Sequence, residues 1–231
     1  MVKSVLGHLK LANHEVDLDL GWTSLVEGAR RSADVVRWYD CAGTDEASAD
    51  TPGTLRSLGR LVFLRLSLPP VIAGAVLEST PSAPWASVPA QAQIVAADPC
   101  IVNGLYDAAA VLHQHFLGAT SRDATPVVTA LLHLARPGLF PVLDLPIRRL
   151  YDEPAQRAWY AVERRATSPT RRSYLPVIRN DVLAAEGVIA SWRSRLAASE
   201  AVEERRVATL SDVRLWEIMA HGLGSETPAH S

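Results

Sequence analysis

Lysine is nearly absent from this chain of 231 residues. It occurs only at Lys3 and Lys10, so 21 of the 23 basic side chains are arginine. High-GC coding explains this bias as well as any function does. After Lys10, the chain contains no amine side chain that could act as a covalent nucleophile.

Cysteines are few, and long apolar runs are missing. Cys41 and Cys100 form no Cys-x-x-Cys pair, which favours a reduced, cytoplasmic protein. Residues 1–20 carry charges throughout and lack the apolar centre of a signal peptide. The uncharged stretch 66–77 is short and interrupted by two prolines, so it is not expected to span a bilayer. We therefore expect a cytoplasmic protein that does not enter a membrane.

Several catalytic and cofactor motifs are missing as well. The sequence has no GxxxxGK[ST], GxGxxG, HExxH or GxSxG, which argues against triphosphate hydrolysis, dinucleotide binding, zincin proteolysis and hydrolase-type acyl transfer. His113 and His115 lie two apart on a predicted helix, so they face opposite flanks and are not expected to chelate one metal. We predict neither a cofactor nor a metal site.

The apolar residues that are present recur at helical spacing and predict an all-α fold. Amphipathic helices are expected at 22–39 and from Leu105 to Phe116. No alternation of strands and helices is visible, which argues against a parallel sheet. We expect a single compact multi-helix domain over residues 1–222. It has a flexible loop at 41–54 and a Pro-rich loop at 80–99, and a disordered tail follows at 223–231.

One predicted helix is apolar on nearly every side. Only Thr125, Thr129 and His133 form a thin polar line through it. A helix of this kind is buried, so we place residues 127–134 at the centre of the core. His133 is expected to be a hydrogen-bonded core histidine.

The C-terminal third predicts one long amphipathic helix, 175–196. Its apolar seam alternates spacings of three and four through Leu175, Ile178, Val182, Ala185, Ile189, Trp192 and Leu196. The seam either docks on the core of the same chain or forms a homodimer. A last helix is predicted to follow the capping box Thr209-Leu-Ser-Asp212 and to end at Gly222.

The segment Arg136-Pro-Gly-Leu-Phe-Pro-Val-Leu-Asp144-Leu-Pro-Ile-Arg-Arg-Leu-Tyr151 is the most informative part of the chain. Asp144 fits the N-cap of a helix, and Pro146 fits its first turn, where a missing N–H has no cost. Asp144 is therefore either a cap alone or a carboxylate with a chemical role. Arg148 and Arg149 point to different sides of the predicted helix, so at most one shares a cleft with Asp144.

Positive charge is concentrated in one part of a weakly acidic chain. Residues 136–195 contain 11 arginines and 6 acidic residues, although the whole protein has a formal net charge of −2. Candidate phosphate-binding residues are Arg148, Arg149, Arg164, Arg165, Arg171 and Arg172. Nearby Trp159 and Tyr160 could stack on bases. Alternatively, both aromatic residues belong to the core and the arginines keep a loop solvated.

Two family resemblances follow from these motifs. Residues 136–144, with Leu210-Ser-Asp-Val-Arg-Leu-Trp216 downstream, resemble an uncharacterised family of small actinobacterial proteins known as a domain of unknown function. That resemblance covers about residues 54–222 and implies a fold without a function. The segment around Asp144 also looks like the one that carries the catalytic aspartate of helix-hairpin-helix DNA glycosylases.

The glycosylase resemblance implies a role for Asp144 and for no other residue. In that family the carboxylate stabilises a cationic sugar after the base is flipped out of the duplex. This chain departs from the family in two ways. The predicted buried helix stands where the Gly-rich DNA-binding hairpin is expected, and the lysine of the bifunctional enzymes is missing.

Three functions are consistent with the sequence. The first is a non-catalytic helical module that binds DNA through its arginines. The second is a glycosylase-like enzyme that uses Asp144. The third is an interaction domain that dimerises through the 175–196 helix.

Overall fold

The computed structural model describes residues 8–31, 68–120, 124–162 and 174–226. Its two strands are β1 (His8–Leu11) and β2 (His14–Asp17). Its helices are α1 (Leu18–Arg31), α2 (Pro70–Ser79), α3 (Leu105–Ala119), α4 (Thr125–Ala135), α5 (Leu145–Val162), α6 (Tyr174–Ala184), α7 (Glu186–Ala197), α8 (Val202–Val207) and α9 (Asp212–Glu226). The predicted helical fold is confirmed, and a small hairpin is added to it.

The hairpin is the part of the fold that the all-α prediction omitted. β1 and β2 pair antiparallel, with Leu9 opposite Val16. Ala12 and Asn13 form the turn between them with positive φ angles of 50° and 71°, as a tight two-residue hairpin connection requires. Leu9 and Val16 are buried in the core. A two-stranded hairpin is only marginally stable alone, so this packing is what holds it.

Helix α1 begins four residues before its predicted start at Trp22. Asp17 accepts hydrogen bonds from the N–H groups of Asp19 (2.8 Å) and Leu20 (3.2 Å) with one carboxylate oxygen. This carboxylate therefore serves the free donors of the first turn. The remainder of the predicted helix, 32–39, lies outside the described residues, as does the predicted loop 41–54.

The predicted central helix is confirmed. Every residue of α4 from Val127 to His133 is buried. Helix α3 carries its predicted stripe, with Ala109, Leu112 and Phe116 buried. The predicted Pro-rich loop contains three short 3₁₀ turns, Thr80–Ser82, Trp85–Ser87 and Ile94–Ala96.

The prediction of one long helix over 175–196 needs correction. The chain forms two helices, α6 and α7, which are separated at Ala185. Gly187, a poor helix former, lies just after this break. The seam from Ile178 to Leu196 is buried in the core of the same chain, as the docking alternative requires. A homodimer through it would need these side chains to leave that core.

The ends of the last helix also differ from the prediction. Ser211 is the N-cap of α9, because its Oγ accepts a hydrogen bond from Arg214 N–H (3.2 Å). Thr209 instead donates to the carbonyl of Arg206. The helix continues through Gly222 to Glu226, into the predicted tail. A Cβ at Gly222 would lie 3.1 Å from Ser24 Cβ, so this glycine permits close packing of α9 on α1 and does not end the helix.

The buried apolar side chains form two clusters. One contains residues of α3 and α4, together with Phe140 and Val142. The other contains residues of α1 and α5 to α9, together with Leu143 and Ile147. The segment 140–144 therefore passes from one cluster to the other just before α5. In the part of the chain described here, no helix is both long and apolar enough to cross a membrane.

Candidate functional site

Asp144 forms the N-cap of α5, as the sequence predicts. Its Oδ1 accepts a hydrogen bond from Ile147 N–H (3.1 Å). Its carbonyl oxygen accepts the first helical hydrogen bond, from Arg148 N–H (2.9 Å). The Asp144 side chain remains 24% exposed. Capping therefore occupies one carboxylate oxygen without burying the whole group.

The second carboxylate oxygen of Asp144 contacts a residue that the sequence analysis did not single out. His221 Nε2, on α9, lies 3.1 Å from Asp144 Oδ2, and the His221 side chain is 51% exposed. This hydrogen bond with Asp144 raises the pKa of His221 above its ordinary value, while partial burial opposes the change. The site is thus an aspartate–histidine pair that solvent can reach.

Three buried polar side chains hold the backbone that leads to Asp144. His133 Nδ1 donates to the carbonyl oxygen of Phe140 (2.8 Å). Thr129 Oγ1 accepts from Leu143 N–H (3.0 Å). Glu217 Oε2 accepts from Val142 N–H (2.9 Å). Thr129 and His133 are part of the polar line that the sequence placed along the buried helix.

Glu217 is itself paired inside the protein. Its Oε1 accepts a hydrogen bond from Arg214 Nη1, and both side chains are almost fully buried. Burial raises the pKa of the Glu217 carboxyl, and the positive charge of Arg214 opposes this change. Ser211 Oγ, at the start of α9, also donates to the carbonyl of Pro137 (2.7 Å). Helix α9 therefore holds the segment 137–142 at two points and contacts Asp144 at a third.

The sequence indicates Glu217 and His221 only as members of a polar stripe, and not as neighbours of Asp144. The set Arg214, Glu217 and His221 repeats at spacings of three and four, so it lies on one face of α9. This spacing indicates a polar stripe on an otherwise apolar helix. Nothing in the sequence connects that stripe with Asp144, because the contact depends on how α9 packs against α5.

The structure locates only part of the predicted arginine set. Arg148 is partly buried and Arg149 is exposed. This difference agrees with the prediction that the two side chains point to different sides of α5. Arg148 follows Asp144 by one helical turn. Arg164, Arg165, Arg171 and Arg172 lie outside the described residues, and the side chains of Trp159 and Tyr160 are not described.

The remaining histidines on described helices have structural contacts or unfavourable surroundings for metal binding. His115 Nε2 donates to the carbonyl of Ser79 (2.9 Å). Burial lowers the pKa of His113 to about 4. No group of three or more His, Cys, Asp or Glu side chains that could hold a metal occurs among the residues described.

No family model, curated protein or solved structure matches this chain. The resemblance to helix-hairpin-helix glycosylases and to the domain of unknown function therefore stays a prediction. For the glycosylase resemblance, one relevant geometric fact is that Asp144 does stand at a helix N-terminus. The buried helix α4 precedes it, where the family has its Gly-rich hairpin.

Proposed function

We propose that the protein binds nucleic acid through an arginine-rich surface that begins at the first turns of α5. The observation that carries this proposal concerns the side-chain contacts of Arg148 and Arg149. Neither guanidinium forms an ion pair or a hydrogen bond with another described residue. Two adjacent arginines without acidic partners are a natural contact for phosphate.

Most other described arginines form an ion pair, a hydrogen bond or a contact with an aromatic ring. Ion pairs with carboxylates involve Arg30, Arg31, Arg157, Arg179, Arg193 and Arg214. Backbone carbonyls accept hydrogen bonds from Arg136 and Arg205, and Arg195 lies over the ring of Trp22. Arg206 is the one further described arginine without such a contact. Arginine abundance alone therefore does not explain the unpaired pair on α5.

Further arginines follow α5 directly in the sequence. The 18 residues of α5 give a helix about 27 Å long at about 1.5 Å per residue. The segment 163–173, with its four arginines, continues directly from the end of that helix. A length of about 27 Å corresponds to roughly eight base pairs at about 3.4 Å each. Arginines that lie near both ends of α5 in the sequence support a proposal of contact with the sugar–phosphate backbone of a duplex.

Fluorescence anisotropy against short duplex and single-stranded DNA tests the proposal. The informative variants are R148Q/R149Q and the fourfold variant R164Q/R165Q/R171Q/R172Q. The matched control is R31Q/R206Q, which removes the same charge as the first variant from exposed residues on α1 and α8. We expect weaker binding in both test variants and a small effect in the control. An equal loss in R148Q/R149Q and R31Q/R206Q would mean that only net charge matters, and would contradict a defined surface.

A second function is favoured by the partly exposed carboxylate of Asp144. In this alternative, Asp144 stabilises the sugar cation formed when the glycosidic C–N bond breaks. The bonding electron pair leaves with the base, and water then adds to the cation. A fixed carboxylate near developing positive charge lowers the barrier of such a step. The three hydrogen bonds to segment 140–143 supply that fixed position.

Release of damaged or mismatched bases from duplex oligonucleotides tests this second function. The substitution D144N removes the negative charge, while the asparagine amide can still cap α5. We expect base release in the wild type and its loss in D144N, with unchanged circular dichroism. R148Q/R149Q should lose affinity while retaining the rate at saturation. Equal base release by wild type and D144N would exclude Asp144 as the catalytic carboxylate.

A further inference from the structure

The Asp144–His221 contact leads to a role for the histidine. We propose that His221 is a positioning residue whose proton sets the net charge of its pair with Asp144, so that the pair is neutral when His221 is protonated and negative when it is not. This inference rests on the second function proposed above, because it concerns the availability of the Asp144 charge.

The two oxygens of Asp144 have separate contacts. Oδ1 accepts the hydrogen bond from Ile147 N–H at the start of α5, which fixes the plane of the carboxylate. Oδ2 faces His221 Nε2 at 3.1 Å. A neutral imidazole can keep this contact by donating its Nε2–H, so loss of the proton changes the charge without requiring the pair to separate.

Among the described residues, the charged groups that act on His221 lie on two elements. Asp144 belongs to the segment before α5, and Glu217 and Arg214 lie on α9 itself. Asp144 and Glu217 both favour the protonated imidazole, while Arg214 and partial burial oppose it. Helix α1 packs against this part of α9 with Ser24, an uncharged residue, next to Gly222. Because Glu217 is paired with Arg214, Asp144 is the main counter-charge of His221.

The consequence for chemistry is a pH-dependent electrostatic effect. A sugar cation is stabilised by the negative pair more than by the neutral pair, since the imidazolium already compensates the carboxylate. Base release should therefore increase as the pH rises and His221 loses its proton. A purely structural contact would not produce this dependence.

The test uses the full chain, H221Q and D144N. Gln places an amide Nε2–H where the imidazole Nε2–H lies, so H221Q retains a donor for Asp144 without a titrating group. In the wild type, base release should decrease below the pKa of His221 and approach about a tenfold decrease per pH unit, the limit reached when only the negative pair is active. H221Q should lack this decrease and exceed the wild type at low pH. Parallel pH profiles for both proteins would overturn the proposal.

A second measurement is independent of activity. The imidazole resonances of His221, assigned by their loss in H221Q, are titrated by NMR in the wild type and in D144N. We expect a midpoint above the ordinary pKa in the wild type and a lower midpoint in D144N. An unchanged midpoint in D144N would overturn the proposal whether or not base release is observed. Absence of base release together with a lowered midpoint would reject the glycosylase function but support the charge coupling of the pair.

Discussion

Glu217 Oε2 accepts a hydrogen bond from the backbone N–H of Val142 at 2.9 Å, deep in the protein. The same carboxylate pairs with Arg214 through its other oxygen. A side chain from α9 therefore compensates a buried arginine and holds the segment that carries Asp144. Through this double role, Glu217 links α9 to the segment that carries Asp144.

Replacing Glu217 should destabilise the whole protein. E217A removes the carboxylate that pairs with the buried Arg214 and accepts the hydrogen bond from Val142 N–H. Loss of one member of a buried ion pair typically costs about 3–5 kcal/mol. Chemical denaturation measures this loss, and E203A, at an exposed residue of α8, serves as the control with an expected change below about 0.5 kcal/mol. Equal stability of the two variants would refute the role of Glu217.

Thr129 should matter through its hydroxyl group. T129V keeps the shape of the side chain but leaves Leu143 N–H unsatisfied, at a cost of about 1–3 kcal/mol. T129S retains the acceptor and should lose less stability. Hydrogen exchange at the Leu143 amide is the most specific measurement, since its protection should decrease in T129V and persist in T129S. Unaltered protection in T129V would show that the hydrogen bond does not hold the segment.

Asp144 should contribute to stability as a cap, whatever its chemical role. D144A removes the acceptor for Ile147 N–H and should cost about 1 kcal/mol, the usual value for an N-cap. D144N should retain most of that stability because asparagine is an equally favoured N-cap. Thermal unfolding compares the three proteins. A D144N variant as unstable as D144A would mean that charge, and not capping, is the stabilising property.

The stability contributed by the Asp144–His221 pair should depend on pH. The pKa of His221 is raised in the folded protein, so folding favours the protonated form. The stabilisation is therefore fully present below the unfolded-state pKa of about 6.5 and is lost as the pH rises through the folded-state value. Because both side chains are partly exposed, its size should stay below about 1 kcal/mol.

Unfolding of the wild type and H221Q at several pH values checks this dependence. The advantage of the wild type should be larger at low pH and should shrink toward high pH. A constant difference between the two proteins over that range would contradict the assignment of the raised pKa to His221.

The parts of the fold that local patterns determine could be predicted from the sequence. The apolar surroundings of His133 predict the buried helix α4, and the Pro-Val-Leu-Asp-Leu-Pro string predicts the cap at Asp144. The break at Ala185 could not be seen, because the apolar seam continues across it without a change of spacing. The all-α prediction omits the hairpin, although Leu9, Lys10 and Leu11 alternate as in a half-buried strand.

Of the candidate site, only Asp144 could be predicted from the sequence. Asp144 is marked by its own neighbours in the chain. His221 and Glu217 reach it through the packing of α9, a contact between distant parts of the sequence. The same limit applies to the arginines, since composition shows their number but not which ones have acidic partners. The structure supplies that distinction for Arg148 and Arg149.

The salt dependence of binding to duplex DNA is the most direct test of a nucleic-acid surface on α5. For the wild type, we expect the logarithm of the association constant to fall linearly with the logarithm of salt concentration, by about 0.9 for each phosphate contacted. R148Q/R149Q should reduce this slope by about two contacts, or roughly 1.8, while R31Q/R206Q should leave it unchanged. Absence of wild-type binding at about 50 mM salt, or an identical slope in all three proteins, would contradict the proposed function.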